Sequence, residues 1–487
     1  MTLQPRIDAK QAAQNMGDVA PPYKAQEARI EATRCLYCFD APCIHSCPTG
    51  IDVPGFIKQI AEGRDAAAAR TILEANPLGA SCARVCPTEV LCEGACVLLD
   101  RDQRPIEIGR LQRHATDYVF AHDIEVLSAP THKSGHKVAC VGGGPAGLAC
   151  ATELARLGHD VTVFEQQQEA GGLNTYGVAY YKMPPKISLD EVRMIEGLGV
   201  EIRTGVSVGS DISGKELLEQ FAAVFVGVGL GRTYSLGLEG EDLPGVVEAL
   251  DFIKEIRTKP LHEVAVGRRV AVIGCGNTAI DAVTQSKRLG AEVAAIIYRR
   301  GPEAMPAYEF EYDLAKRDGA EFLFHRQPVA ILGDAAVTGL RLGSTAVGSD
   351  GRLQVDAQSV VDMPFDMVIK ALGQERMQEN LQRVFPDLQF TKSGEIERDF
   401  STGATSVPRV FAGGDAANGG SEVVDAVAEG KRAAQSIHAE LTGATSGAHV
   451  QESRLGVPTG PATGAGINCP VRVPALEADY HKKQGGE

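Results

Sequence analysis

The sequence predicts an α/β protein with two Rossmann-like dinucleotide-binding domains, the second inserted in the first, preceded by an α-helical cysteine-rich domain. Three observations carry that prediction. Two glycine-rich turns each stand between an apolar strand and a helix: "KVACVGGGPAGLACATELARLGHDVTVFE" at 137–165 and "RRVAVIGCGNTAIDAVTQSKRLGAEVAAIIYRR" at 268–300. Eight of the twelve cysteines fall between Cys35 and Cys96, ahead of both turns, which sets the N-terminal part off as its own module. After the second unit, "FDMVIKALG" (365–373) and "RVFAGGDAANGGSEVVDAVAEGKRAAQSIHAEL" (409–441) read as a return to the first domain.

The expected boundaries are 1–133 for the cysteine module, 134–232 and 372–441 for the first nucleotide domain, and 233–371 for the second. Residues 442–487, rich in Gly, Thr, Pro and Ser, read as an extended arm or disordered tail. Within the module, "VPGFIKQIAEGRDAAAARTILEAN" spaces Phe56, Ile57, Ile60, Ile72 and Leu73 as helices do. The net charge of -15 argues against a nucleic-acid or anionic-membrane surface. No apolar stretch is long enough for a membrane span, and the N-terminus shows no signal peptide. A reducing, cytoplasmic setting is therefore expected, which disfavours disulfides.

In the first turn, Gly142 bends the chain, Gly144 lets backbone approach a pyrophosphate, and Gly147 lets helix and strand pack. Pro145 and Ala146 open the helix whose N-terminus would face the phosphates. Glu165 ends the next strand, where a carboxylate can accept from ribose hydroxyls. The second turn, Gly274-x-Gly276-x-x-Ala279, carries Asn277 and Thr278 at its helix start, where they can contact a nicotinamide nucleotide. Its second strand ends in Arg299 and Arg300 instead of an acid, which suits a 2′-phosphate and so NADPH over NADH. The plainer reading leaves both arginines solvated or pairs them with Glu303 or Glu309. In "VFAGGDAAN", Gly414 and Asp415 precede a helix beginning near Glu422, Val423 and Val424. After two Rossmann units, an Asp in that place suits the ribityl chain of FAD, with the helix N-terminus facing the ring. Gly227 and Gly229, and Ala371 to Gly373, would mark the crossovers between the nucleotide domains.

The cysteines form two sets, "CLYCFDAPCIHSCP" and "CARVCPTEVLCEGAC", each with a Cys-Pro as at the end of bacterial ferredoxin runs. Structural zinc prefers paired C-x2-C knuckles, and only Cys35 and Cys38 have that spacing. A neighbouring flavin gives iron–sulfur clusters a purpose that zinc would lack, so the module reads as an iron–sulfur domain. Neither nucleotide domain carries a C-x-x-C dithiol, which argues against a disulfide reductase. Cys140, Cys150 and Cys275 lie in Rossmann elements and read as inert thiols; Cys469 has no metal spacing either.

Taken together, "RCLYCFDAPCIHSCPTGIDVPGFI", "CARVCPTEVLCEGAC", "PIEIGRLQR", "VGGGPAGL", "GCGNTAIDA" and "FAGGDAA" resemble the electron-input half of dihydropyrimidine dehydrogenase over residues 25–440. In bacteria that half is a separate NAD(P)H-oxidising subunit, and the small subunit of glutamate synthase is similar. The resemblance implies two [4Fe-4S] clusters, one on Cys35, Cys38, Cys43 and Cys96, the other on Cys47, Cys86, Cys92 and Gln112. It leaves Cys82 as a neighbour. Glutamate synthase small subunits place a Glu where Gln112 stands, so that residue favours the first relative. The resemblance also puts Gly172 and Leu173, Gly373 and Ala371 among cofactor-binding positions, and Lys182 near flavin N5; otherwise Lys182 is a surface lysine.

The expected chemistry is oxidation of NAD(P)H at FAD, with electrons passed singly through both clusters. The chain leaves no room for an FMN-bearing barrel, so the expected partner is a separate FMN/iron–sulfur dihydropyrimidine dehydrogenase subunit in a hetero-oligomer that reduces uracil or thymine. The alternatives are a glutamate synthase small subunit or other diaphorase, and, from another class, a zinc-stabilised interaction module that binds nucleotides without electron transfer.

Overall fold

A computed structural model describes residues 3–102, 104–348 and 352–444, and the chain divides into two compact units. Among the described residues, one consists of Ala20–Thr175, Pro185–Leu230 and 376–444; the other of 3–19, Tyr176–Pro184 and Gly231–Glu375. The chain thus crosses between units at 230/231 and 375/376, a few residues from the expected boundaries.

The larger unit joins the cysteine module to the first nucleotide domain. Its five-stranded parallel sheet has the order Val410–Ala412, Ala223–Val226, Lys137–Val141, Asp160–Glu165, Glu201–Thr204. Val138 pairs with Val161 on one side and Ala223 on the other. Strands covered on both faces carry unbroken apolar runs, which is why "VACV" does not alternate. The helix Pro145–Arg156 packs against the long helix Val423–Thr442, where Gly430 permits the approach: a Cβ there would stand 2.2 Å from Ala146 O. In the cysteine module, the expected helical stretch is two helices, Val53–Ala61 and Asp65–Ala75, broken at Gly63 with φ +73°. Phe56, Ile57, Ile60, Ile72 and Leu73 are all fully buried, as their spacing requires.

The smaller unit has a second parallel sheet, ordered Val246–Glu248, Met367–Lys370, Arg269–Ile273, Val293–Tyr298, Glu321–Phe324. A three-stranded antiparallel sheet, Leu353–Pro364, Gly339–Val347 and Arg326–Leu332, accompanies it. Two segments expected elsewhere belong here. The N-terminal residues, expected in the cysteine module, pair Gln4 with Val266, and Asn15 Nδ2 donates to Arg288 O at 2.7 Å. Tyr176–Pro184 is tied in by Arg257, which donates to Val178 O at 2.6 Å and Met183 O at 2.7 Å. The expected tail from 442 lies outside the described residues beyond 444, as does Cys469. Among the described residues no helix is long and apolar enough to cross a membrane.

Candidate functional site

The first glycine turn follows Lys137–Val141 directly. Gly142 adopts φ +99°, and a Cβ there would stand 2.4 Å from Gly227 O. At Gly147 a Cβ would meet Gly142 O at 1.9 Å, so only glycine lets this helix close onto the turn. Gly144 caps the helix, with Pro145 in its first position and Ala146 buried behind it. Glu165 is buried at the end of its strand, and its two oxygens accept from Gly143 N (2.8 Å) and Gln167 N (2.7 Å). The carboxylate is thereby fixed at the rim of the turn, with lone pairs remaining for a hydroxyl donor. Gly172 lies against Gly144, where a Cβ would come within 2.8 Å of Gly144 Cα, and Leu173 follows it, exposed.

The third glycine motif comes to the same place. A Cβ on Gly414 would lie 2.9 Å from Ala146 Cβ, and Gly414 N donates to Glu429 Oε2 at 2.7 Å. Burial pushes the neighbouring Asp415 carboxyl up to about 6, against the pull of Ser421 N. Glu422 then caps the long helix that begins with Val423 and Val424. Sequence positions 142–147, 165, 172–173 and 414–424 therefore converge on one end of one sheet, a cradle of close glycine contacts that fits a dinucleotide.

The second unit repeats the design. Gly274 has φ +126°, and a Cβ there would meet Ala371 O at 2.2 Å. Gly276 caps Asn277–Arg288; Asn277 Oδ1 accepts from Tyr308 N at 3.1 Å, and Thr278 is exposed. Ala279 is fully buried in the third glycine's place. Gly373 has φ +85°, and its carbonyl accepts from Tyr234 N. Arg299 and Arg300 are exposed at the end of Val293–Tyr298, and among the described residues neither forms an ion pair with Glu303 or Glu309.

Lys182 belongs to this smaller unit and is no surface lysine. Its ammonium bonds Asp281 Oδ1 and Glu311 Oε1, each at 2.6 Å, and Tyr181 Oη donates to Asp281 Oδ1 at 3.1 Å. Burial pulls the ammonium pKa down, but the two carboxylates outweigh it and hold it well above the usual lysine range. These contacts give no support to a place beside a flavin. Nothing local in "YKMPP" signals them.

Back in the larger unit, the thiols separate into two neighbourhoods. Burial first, then Cys38 and Cys96, push the Cys35 thiol up to about 12; Cys43 is raised further by burial and by Cys35, Cys96 and Cys38. The second group is Cys47, Cys82, Cys86 and Cys92. Cys82 and burial push the Cys86 thiol well up, and burial, Glu93, Cys47 and Cys43 do the same at Cys92, so the groups adjoin. Cys86 caps the helix Gly79–Val85, which carries Cys82 one turn earlier. Gln112 is buried on the helix Ile108–Ala121, and its Nε2 donates to Gly79 O at 2.7 Å, leaving Oε1 as the end able to coordinate. Cys140 is buried in a strand, Cys150 in a helix and Cys275 in the second glycine turn. Among the described residues no three His, Cys, Asp or Glu side chains close on a single metal ion. Ligands of a cubane stand at its separate corners, and donor sets built mainly of thiolates suit that soft chemistry.

One apolar contact links the thiols to the glycine cradle. Val424 is buried with Cys82 and Leu91, and Val423, Cys47, Cys86 and Val90 pack against them. The helix start at the third glycine motif thus abuts the second thiol group.

Residues 12–124 match the family described as dihydropyrimidine dehydrogenase domain II, 4Fe-4S cluster, and residues 136–430 match pyridine nucleotide-disulphide oxidoreductase. The glutamate synthase [NADPH] small chain of Escherichia coli K12 is 35% identical over 441 residues, covering 86% of this chain and 93% of that one. The NAD-dependent dihydropyrimidine dehydrogenase subunit PreT of the same organism is 34% identical over 432 residues, covering 88% and 98%. Among solved structures, Mycobacterium tuberculosis FprA in complex with NADPH matches with a TM-score of 0.52 at 21% identity, over 71% of this chain and 90% of that one; the likeness is one of fold.

Proposed function

The chain belongs to the pyridine nucleotide-disulphide oxidoreductase family, in its electron-transferring branch with an N-terminal 4Fe-4S domain, and on that premise we propose that it is the NAD(P)H-oxidising subunit of a two-component dihydropyrimidine dehydrogenase. The observation that carries the reading is the contact of Val423 and Val424 with Cys47, Cys82 and Cys86. It sets the proposed flavin helix against the second thiol group.

When bound, FAD supplies hydride acceptance from NAD(P)H and the clusters supply single-electron transfer. The chain's own residues bind and orient these groups. The glycine turn at 142–147 and the helix N-terminus behind it receive the FAD pyrophosphate, while Glu165 takes the ribose and Asp415 the ribityl chain. Arg299 and Arg300 offer two guanidiniums to a 2′-phosphate, which favours NADPH. Cys35, Cys38, Cys43 and Cys96 would hold one [4Fe-4S] cluster; Cys47, Cys86, Cys92 and Gln112 would hold the other. Gly172, Leu173, Gly274, Gly276, Asn277, Thr278, Ala371 and Gly373 shape the two nucleotide sites.

The purified chain should show flavin bands over broad iron–sulfur absorbance, with about eight irons, as two [4Fe-4S] clusters require. It should reduce dyes with NADPH and form dihydrouracil only when a separate FMN subunit is added. Dihydrouracil without that subunit, or zinc in place of iron, would refute the reading. Similarity to the glutamate synthase small chain supports a second reading, in which the partner is that enzyme's large subunit; glutamine-dependent activity with such a partner would select it.

A further inference from the structure

We infer that Lys431 sets the reduction potential of the cluster proposed for Cys47, Cys86 and Cys92; this rests on the functional reading above. Lys431 lies two turns along the helix whose first turn packs against Cys47 and Cys86. Its ammonium donates to Ala75 O at 2.6 Å and Glu74 O at 3.2 Å, the carbonyls that end the helix Asp65–Ala75. Among the described residues it forms no ion pair. Glu153, the acid that acts on it most strongly, is taken up by Arg156 at 3.8 Å and by Gln435 Nε2 at 3.3 Å.

A lysine is rarely buried without a carboxylate, because carbonyl oxygens compensate the lost hydration only in part. Burial accordingly pulls the ammonium down, and Cys47 is among the groups whose charge acts the other way. Neither Cys35 nor Cys43 of the first thiol group is among the groups acting on Lys431. Lys431 is thus a fixed cation in the field of the second group. An electron arriving there makes the site more negative, with no bond made or broken and no proton moved at Lys431. Two helical turns span about 11 Å, and one unit charge across roughly that distance, at an effective dielectric of about 20, alters such an equilibrium roughly tenfold.

The test is a redox titration of the purified holoprotein followed by electron paramagnetic resonance. Gln112→Ala, which alters one proposed ligand set only, identifies the signal of the second cluster. Lys431→Gln keeps a hydrogen-bond donor toward the two carbonyls but removes the charge; Lys431→Arg keeps the charge. Lys431→Gln should retain its iron while the second cluster becomes harder to reduce, its oxidised-to-reduced ratio at fixed potential rising roughly tenfold. The other cluster should not move, and Lys431→Arg should titrate like the parent. Unshifted potentials in Lys431→Gln, an equal shift in Lys431→Arg, or loss of iron in Lys431→Gln would overturn the inference, the last because Lys431 is then a helix cap. A parent protein without any iron–sulfur signal overturns the functional reading as well.

Discussion

Glu191 offers a sharp test of how the cysteine module is fastened to the first nucleotide domain. It projects from the helix Pro185–Gly197, is fully buried, and accepts from Ala80 N (2.8 Å), Ser81 N (2.9 Å) and Ser81 Oγ. It therefore caps the helix that bears Cys82 and Cys86. Burial pushes its carboxyl up to about 7 even though all three donors favour the anion. In the unfolded chain the same group titrates near 4.5. Between those values the folded protein holds a proton that the unfolded chain has released. Stability from this group is therefore fully present below about 4.5 and is lost as pH rises to about 7. The gap corresponds to about 3 kcal/mol, at about 1.4 kcal/mol per tenfold change in proton affinity. Glu191→Gln removes the titration and adds a constant cost for its misplaced amide donors. Denaturant midpoints from pH 4.5 to 8, followed by circular dichroism, should show the variant gaining on the parent by about 3 kcal/mol as pH rises. A difference that is flat in pH would refute the reasoning, since burial would then not control this carboxyl.

Gly147→Ala places a methyl 1.9 Å from Gly142 O; it should cost about 1–3 kcal/mol and lower the flavin released per chain several-fold, and a normal flavin content would count against the assigned cradle. Arg299→Ala removes an exposed guanidinium that pairs with neither nearby glutamate among the described residues, so stability should hold while kcat/KM for NADPH falls about 10- to 100-fold, as loss of one charged hydrogen bond implies. An equal fall with NADH would dismiss the 2′-phosphate role. Lys182→Met leaves Asp281 and Glu311 without their shared cation and should destabilise the protein by about 3–5 kcal/mol, read as a lowered Tm. A changed flavin spectrum at unchanged Tm would instead restore the flavin role for Lys182.

Which of these features the sequence discloses follows from where their causes lie. Gly142 and Gly274 are legible because the left-handed backbone they adopt is a demand made within one turn, although the carbonyls that face their missing Cβ atoms, Gly227 O and Ala371 O, come from distant strands' ends. The apolar strands and the buried Ala279 are legible for the same reason. The density of cysteines is legible too, but their partition is not settled by spacing. Cys82 and Cys86 lie one helical turn apart, and which of them meets Cys47 and Val424 depends on how that helix is set by Glu191 and Gln112. Lys182 reaches a carboxylate 129 residues away, and Lys431 reaches a carbonyl at a separation of 357. Neither leaves a periodic trace, because a buried cation is selected by the packing of distant elements and not by its neighbours in the chain. The same holds for the N-terminal residues: seventeen described positions ahead of the cysteines look like part of their module, yet the Gln4–Val266 bridge and the Asn15 bond to Arg288 O tie them to the other unit. Local chemistry points to the proposed nucleotide and cluster sites; the buried charges around them are placed by tertiary structure, so they are found only by asking what each buried cation or carboxylate is held by.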